Sequence, residues 1–134
     1  MFETSLPLRF AHCDPAGIIF YPQYFVLFHE LMEDWFTKGL GVNYADMIYR
    51  ERIGVPAGRV ECEFLAPSRI GETLTFSLRL ARIGSSSLTM KIDCRKGSEA
   101  RARAAITVIL AQLEGPKALP IPDDLRRKML DYLE

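Results

Sequence analysis

The sequence has no apolar run that reaches the roughly 18 residues needed by a membrane-spanning helix. Its first residues, Met-Phe-Glu-Thr-Ser-Leu-Pro, also lack the charged and then apolar pattern of a signal peptide. The chain has only three cysteines, Cys13, Cys62 and Cys94, whose scattered positions argue against a disulfide framework or a CxxC metal site. We therefore expect free thiols, no membrane partner and a cytoplasmic location.

An excess of charge of one sign is also missing, since 17 basic residues cancel 17 acidic ones and no basic tract stands out. A nucleic-acid partner is not expected, because such binding depends on phosphate neutralisation. The only histidines, His12 and His29, have no evident third ligand, so no metal site is predicted. The ordinary composition, without a repeat or linker, predicts one globular domain over residues 1–134.

What the sequence does contain is a clear amphipathic helix between Pro22 and Lys38. Its apolar residues recur at steps of three and four, which places them on one broad stripe. Pro22 suits a first helical position and Gly39 suits a stop. A helix with so many large aromatic side chains needs a wide apolar surface to cover it. The stripe consists of Tyr24, Phe25, Leu27, Phe28, Leu31, Met32, Trp35 and Phe36.

Period-two alternation in the second half of the chain predicts such a surface, in the form of an antiparallel sheet. Apolar side chains alternate with polar ones over residues 59–64, 73–80 and 88–95, and less cleanly over residues 100–113. We also predict an opening strand over Leu6–Phe10, a short helix over Asn43–Glu51 and a C-terminal helix over about 122–133. A long helix packed on one antiparallel sheet is an α+β fold.

The segment between the opening strand and the long helix carries the clearest chemical signal. Asp14 lies in a Pro/Gly-rich turn shortly before the helix begins near Tyr21 and Pro22. A helix N-terminus presents unpaired N–H groups and a positive dipole end, which polarise a carbonyl and stabilise an oxyanion. A nearby carboxylate can attack that carbon or deprotonate a water. The local pattern alone also fits a structural turn in which Asp14 bonds to nearby N–H groups.

The same segment resembles the signature of the 4-hydroxybenzoyl-CoA thioesterase family. Cys13-Asp14-Pro15-Ala16-Gly17-Ile18 and Pro22-Gln23-Tyr24 match it nearly in register. The similarity continues through Gly54-Val55-Pro56 and Gly71-Glu72-Thr73-Leu74 and covers most of the chain. The resemblance implies the hotdog fold, in which an antiparallel sheet wraps around a long central helix. It also implies hydrolysis of an acyl-CoA thioester to free acid and CoA, with no metal or organic cofactor.

The resemblance further implies roles for individual residues. Asp14 falls on the family's catalytic aspartate, a nucleophile or general base, and the backbone N–H of Tyr21 falls at the helix start that polarises the carbonyl. An aromatic residue at position 21, where one large subgroup has His, favours an aromatic acyl group such as a hydroxybenzoyl group. The expected substrate-binding residues are Gly17, Pro22, Tyr24, Phe25, Arg82, Ser85 and Ser86. For the last three, expected near the CoA phosphates, a solvated hairpin is the alternative.

Oligomeric state follows from the same resemblance. Subunits of the family pair edge to edge into dimers with a continuous sheet, and the dimers often associate into tetramers. The acyl-CoA lies at the subunit interface. We therefore expect a homodimer, assembled further into a homotetramer.

The sequence is also compatible with several alternatives. His12 orients Asp14 through a hydrogen bond, or it points to the opposite face. Glu30 or Glu33 is a reserve carboxylate, because a second thioesterase lineage of this fold places its catalytic glutamate on the helix. An acyl-carrier-protein thioester is an alternative substrate, and a non-catalytic acyl-thioester-binding module is an alternative function. An acyl-thioester hydratase or dehydratase would need a His-containing motif that the sequence lacks.

Overall fold

The central element of the computed structural model, which describes residues 1–134, is the long predicted helix. Helix α1 spans Pro22–Asp34 and continues as a π-helix over Trp35–Gly39, so the predicted end at Gly39 is confirmed. The wider π turn is closed by a hydrogen bond of 2.8 Å from the Leu40 N–H to the Trp35 carbonyl. Most of the apolar stripe is buried: Tyr24, Leu27, Phe28, Leu31, Met32, Trp35 and Phe36.

An antiparallel sheet of five strands covers this stripe. The strands of the whole chain are β1 (Phe2–Pro7), β2 (Ile53–Gly54), β3 (Ala57–Phe64), β4 (Thr73–Ile83), β5 (Ser87–Lys96), β6 (Glu99–Ile109), β7 (Ala111–Gln112) and β8 (Lys117–Ala118). The main sheet has the order β1-β4-β5-β6-β3, and β2, β7 and β8 form a small second sheet. Two further helices, α2 (Tyr44–Tyr49) and α3 (Asp123–Leu130), complete the α+β layout that the sequence predicted.

The core lies between α1 and the inner face of the main sheet. Alternate side chains of β4 and β5 are buried there, as the period-two pattern predicted: Leu74, Phe76, Leu78, Leu80, Leu88, Met90, Ile92 and Cys94. The rings of Phe28 and Phe76 meet edge to face with centroids 6.1 Å apart. Because each such side chain contributes about 1.5–3 kcal/mol when buried, this packing holds α1 in one position on the sheet.

The position predicted for the opening strand is wrong. Strand β1 spans Phe2–Pro7 and pairs with β4 from Phe2 opposite Leu78 to Pro7 opposite Thr73. The next residues, Phe10–His12, form a short 3₁₀ turn instead of extended chain. Alternation alone does not locate a strand end, and here β1 ends at Pro7, opposite Thr73, where the partner β4 begins.

The last predicted strand, 100–113, is divided in two. Strand β6 ends at Ile109, and the chain then turns so that β7 pairs with β2 and β8. The Leu110 N–H donates to the Ser86 carbonyl at 2.7 Å, which marks the bend. At the C-terminus, α3 ends at Leu130, earlier than predicted.

Strand β3 is an edge of the main sheet, paired on one side with β6 only. Its residues Val60 and Phe64 face the α1 side, yet 45% and 49% of their surfaces are exposed. An edge strand offers unpaired backbone groups to another strand, and here apolar side chains accompany them. The structure contains no helix of sufficient length and apolarity for a transmembrane span.

Candidate active site

The turn that carries Asp14 is closed by backbone hydrogen bonds. Cys13 and Ile19 form an antiparallel bridge, and the Asp14 N–H donates to the Ile18 carbonyl at 2.9 Å. The Gly17 N–H donates to the Asp14 carbonyl, also at 2.9 Å. Gly17 has a φ of +77°, which glycine adopts without steric cost. The Pro/Gly-rich sequence therefore folds into one defined turn that holds the Asp14 backbone.

The carboxylate of Asp14 is held by one oxygen and free at the other. Its Oδ1 accepts hydrogen bonds from the Ala16 N–H at 2.9 Å and from the Ile18 N–H at 3.4 Å. The side chain is half-buried, and its Oδ2 receives no hydrogen bond from the chain. The hydrogen bonds of a structural turn are thus present at one oxygen of Asp14, and the second oxygen has no partner in the chain.

The start of α1 supplies an unpaired donor. Tyr21 is the N-cap and Pro22, without an N–H, is the first helical residue. The N–H groups of Gln23 and Tyr24 donate to the carbonyls of Phe20 and Tyr21 at 2.8 and 3.1 Å. The N–H of Tyr21 donates to no acceptor in the chain. It lies at the positive end of the helix dipole, where it can bind an oxygen that gains negative charge.

The backbone of His12 connects the Asp14 turn to the start of α1. Its carbonyl accepts from the Phe20 N–H at 3.0 Å, which brings the residues beside Asp14 and Tyr21 together. Its Nδ1 accepts from the Arg9 N–H at 3.0 Å, and it makes no hydrogen bond to Asp14. His12 therefore does not orient the carboxylate directly.

A cavity of about 270 Å³ lies beside this loop. Its lining is mostly apolar and consists of Ile18, Ile19, Tyr21, Tyr24, Phe64, Leu65, Ala66 and Pro67. The ring centroid of Phe64 lies 6.0 Å from that of Tyr21 and 5.7 Å from that of Tyr24. We call this space the aromatic cavity; its walls suit an apolar, ring-containing group.

Two of the residues predicted to bind substrate, Tyr24 and Phe25, differ in how far their side chains are buried. Tyr24 is buried, and its hydroxyl shares a hydrogen bond of 3.0 Å with Ser68 Oγ. Burial raises the pKa of Tyr24, so its hydroxyl stays protonated at neutral pH. Phe25 is half-buried and lines a second apolar cavity of about 240 Å³, together with Val60 and Met90.

The other predicted binding residues, Arg82, Ser85 and Ser86, lie at the opposite end of the sheet. Strand β4 begins next to the loop that contacts Ile18 and Ile19, and Arg82 lies near its far end. At about 3.3 Å per residue, the strand separates the two ends by roughly 30 Å. One subunit therefore does not bring these three residues together with Asp14.

The remaining candidates do not assemble at the Asp14 turn. Glu30 and Glu33 are exposed, two or more turns beyond the start of α1. Burial and, secondarily, the Asp14 charge raise the pKa of the Cys13 thiol, which disfavours a thiolate nucleophile. No group of three His, Cys, Asp or Glu side chains is arranged to hold a metal ion.

A polar cluster behind the Asp14 turn was not predicted from the sequence; in it Ser68 and Arg101 are buried and Glu72 is half-buried. Arg101 is the extra residue of a β-bulge in β6, because Cys94 pairs with Ala102 while Arg95 pairs with Ala100. A bulge re-aims a side chain, and only 6% of the Arg101 surface is exposed. Alternation could not reveal this residue, since a bulge interrupts the period of two.

The chain matches the thioesterase-like superfamily over residues 8–129. The match covers most of its length, and the protein belongs to this superfamily. A curated relative, the 1,4-dihydroxy-2-naphthoyl-CoA hydrolase of Thermosynechococcus vestitus, is 26% identical over 119 residues, which cover 88% of this chain and 81% of the relative. The prediction of a thioester hydrolase agrees with the family and with this relative's name.

Solved structures of similar proteins establish the fold. The BH1999 gentisyl-coenzyme A thioesterase superposes with a TM-score of 0.87 at 23% identity, over 96% of this chain and 99% of that one. The 1,4-dihydroxy-2-naphthoyl-CoA thioesterase Slr0204 from Synechocystis superposes with a TM-score of 0.86 at 20% identity, over 97% and 96% of the two chains. The predicted hotdog fold is confirmed.

The polar cluster predicts a pH-dependent contribution to stability. Hydrogen bonds from Arg101, and then from Arg69 N–H and Lys96, hold the pKa of Glu72 well below its usual value of about 4.3. Because the folded-state pKa is lowered, the stabilisation is present above pH 4.3 and is lost as the pH falls towards the folded-state pKa.

We expect Glu72→Gln to lower the free energy of unfolding by about 3 kcal/mol at pH 7, the cost of breaking a buried pair. The difference from wild type should shrink as the pH falls below about 4. Urea denaturation at several pH values measures both quantities. A difference that stays constant between pH 7 and pH 3 would show that the Glu72 charge does not supply the stabilisation.

Proposed function

We propose that the protein is an acyl-CoA thioesterase that hydrolyses an aromatic acyl-CoA to the free acid and CoA. The observation that carries this proposal is a pair of free polar atoms in one loop. Asp14 Oδ2 accepts no hydrogen bond, and the Tyr21 N–H donates none, next to an apolar cavity. A thioester carbonyl set between them would meet both a base or nucleophile and an oxyanion donor.

Asp14 can act in either of two ways. As a nucleophile, its Oδ2 attacks the thioester carbon, the C–S bond breaks, and CoA leaves as a thiolate that takes a proton from solvent. Water then hydrolyses the anhydride and restores the carboxylate. As a general base, Asp14 takes a proton from a water whose oxygen attacks the same carbon, and the proton passes to the departing thiolate.

In both routes the negative charge develops on the carbonyl oxygen. The Tyr21 N–H would donate to that oxygen, supported by the dipole of α1. Pro22 keeps the first helical position free of a competing N–H, and Gly17 permits the tight turn that holds Asp14. These backbone features serve the reaction without a further charged side chain.

An aromatic acyl group suits the lining of the site. The rings of Tyr21, Tyr24 and Phe64 border the aromatic cavity, and ring-to-ring contacts favour offset or edge-to-face packing. Similar proteins are named as acting on dihydroxynaphthoyl-CoA and gentisyl-CoA, which both carry aromatic acyl groups. The proposal includes a cytoplasmic location, which the three free cysteines favour.

A homodimer paired along β3 completes the proposed site. Phe64, at the end of β3, contacts Tyr21, whereas Ala57, at its start, lies near the β4–β5 turn. An antiparallel β3 of a second copy would bring its own start beside Phe64. Arg82, Ser85 and Ser86 of that copy would then lie at the same end of the dimer as the first copy's Asp14. Association of dimers into a tetramer remains a prediction from the family resemblance.

The first test is CoA release with wild type and Asp14→Asn, measured as free thiol across benzoyl-type and aliphatic acyl-CoAs. We expect aromatic substrates to rank first and Asp14→Asn to lower kcat by about 10³-fold, because amide replaces the reacting carboxylate. Asp34→Asn, on the far end of α1, is the control and should retain full activity. Turnover by Asp14→Asn at the wild-type rate would reject the assignment.

If folded wild-type protein releases CoA from no acyl-CoA, an acyl-carrier-protein thioester becomes the next substrate to test. Binding of CoA ligands without any turnover would instead indicate a non-catalytic binding module. Hydration of crotonyl-CoA would indicate a hydratase.

The backbone donor can be removed with a proline. Tyr21 has a φ of −53°, which proline adopts, and its N–H has no acceptor in the chain. We expect Tyr21→Pro to lower kcat by about 10²–10³-fold, as for other lost oxyanion donors. Tyr21→Ala keeps the N–H and loses the ring, so it should retain most of kcat. If Tyr21→Pro and Tyr21→Ala both keep the wild-type circular dichroism spectrum and lose kcat to the same extent, the N–H takes no part in catalysis.

The dimer is tested by charging the free edge of the sheet. Val60 on β3 and Leu130 on α3 are apolar residues with similar exposure, 45% and 52%. We expect Val60→Lys to shift sedimentation towards monomer and to raise KM, because the second copy's binding residues are lost. Leu130→Lys should change neither property. A monomeric Val60→Lys with full activity would show that one subunit is sufficient.

A further inference from the structure

The turn that holds Asp14 rests on a second loop, residues 66–72, which we call the support loop. The Ile19 N–H donates to the Ser68 carbonyl at 2.9 Å, and the Ile70 N–H donates to the Gly17 carbonyl at 2.9 Å. Ile18 and Arg69 form an antiparallel bridge between these contacts. The place of the Asp14 turn in the molecule is therefore set by the place of the support loop.

One buried guanidinium holds the support loop. Arg101 Nη1 donates to the Pro67 carbonyl at 3.0 Å, to Ser68 Oγ at 3.1 Å and to Glu72 Oε1 at 2.9 Å. Its Nη2 donates to Glu72 Oε2 at 3.0 Å, and its Nε donates to Glu99. The side chain thus contacts the loop near its beginning, at Pro67 and Ser68, and at its end, at Glu72. A planar guanidinium with bidentate partners fixes direction as well as distance.

Glu72, the last residue of the support loop, pairs with this guanidinium through both of its carboxylate oxygens. Its Oε1 also accepts from the Arg69 N–H at 2.6 Å, and its Oε2 lies 3.2 Å from Lys96 Nζ. The carboxylate therefore closes the turn Arg69–Glu72 while it pairs with Arg101. Lys96 and Glu99 lie on β5 and β6, so the loop is held to the sheet.

The same cluster reaches the start of α1. Ser68 Oγ, which accepts from Arg101, also shares a hydrogen bond of 3.0 Å with the Tyr24 hydroxyl. Tyr24 lies in the first turn of the helix, three residues after the unpaired N–H of Tyr21. One serine side chain thus connects the support of Asp14 with the support of the Tyr21 N–H.

We propose that Arg101 is a positioning residue that sets the placement of the Asp14 carboxylate relative to the Tyr21 N–H. This inference rests on the proposed thioesterase function. Arg101 does not line the aromatic cavity, and its contacts are with groups behind the turn. A displacement of about 1 Å between reacting groups can cost about 10²-fold in rate. A guanidinium held by Pro67, Ser68, Glu72 and Glu99 limits such displacement.

The test compares Arg101→Met, Arg101→Lys and Ser68→Ala with wild type, at a temperature well below each variant's Tm. We expect Arg101→Met to lower kcat by about 10–100-fold while KM for the same acyl-CoA stays within about twofold. Arg101→Lys should retain more of kcat than Arg101→Met, because lysine keeps the positive charge. Ser68→Ala is a small substitution that should leave the protein folded. It removes the hydrogen bond between the support loop and Tyr24 of α1, so it should lower kcat and leave KM unchanged.

Arg79→Met is the matched control. Arg79 lies on β4 and pairs with Asp93 at 2.7 Å, so it also makes an ion pair within the sheet, but without contact to the support loop. It should retain the wild-type kcat. A positioning role is overturned if Ser68→Ala and Arg101→Lys both keep the wild-type kcat, or if their losses appear only in KM.

Amide hydrogen exchange tests positioning without any substrate. We expect the protected amides of Ile19 and Ile70, which join the turn to the support loop, to exchange at least about tenfold faster in Arg101→Met than in Arg79→Met. Unchanged exchange would overturn the inference. Absence of turnover in wild type, together with faster exchange in Arg101→Met, would reject the proposed function while the positioning by Arg101 stands.

Discussion

The burial of the aromatic stripe of α1 against the main sheet is the interaction on which the rest of the structure depends. Phe28, Trp35 and Phe36 are almost fully buried, and they fix both the rotation and the depth of the helix. A helix held in this way has its N-terminus at one defined point on the sheet. The free N–H of Tyr21 is therefore presented at a fixed place, which its proposed role as an oxyanion donor requires.

The polar parts of the site are arranged around this fixed point by backbone hydrogen bonds. The Asp14 turn is bonded to itself, to the loop 66–72 and, through His12, to the residue before Tyr21. Arg101 adds a buried guanidinium whose hydrogen bonds restrain the direction as well as the distance of the loop 66–72. In contrast to these paired groups, the outer edge of β3 has no partner strand within the chain. The proposed pairing of two copies would cover this edge and its exposed side chains Val60 and Phe64.

The sequence patterns succeeded where one period persists over a whole element. Steps of three and four predicted α1 and its buried face, and alternation predicted the buried side chains of β4 and β5. They failed where pairing partners decide the outcome. The position of β1, the break between β6 and β7 and the inward Arg101 all depend on contacts between residues that are distant in the chain.

The sequence by itself determined the class of fold, the central helix and the turn that carries Asp14, because local geometry and the family signature are written in neighbouring residues. Tertiary structure alone decided which atoms stay unpaired. Only the folded chain shows that Asp14 Oδ2 and the Tyr21 N–H lack partners, and that Arg82 lies at the far end of the sheet. Hydrogen-bond satisfaction is a property of the whole arrangement, since many partners are supplied by segments that are distant in the chain.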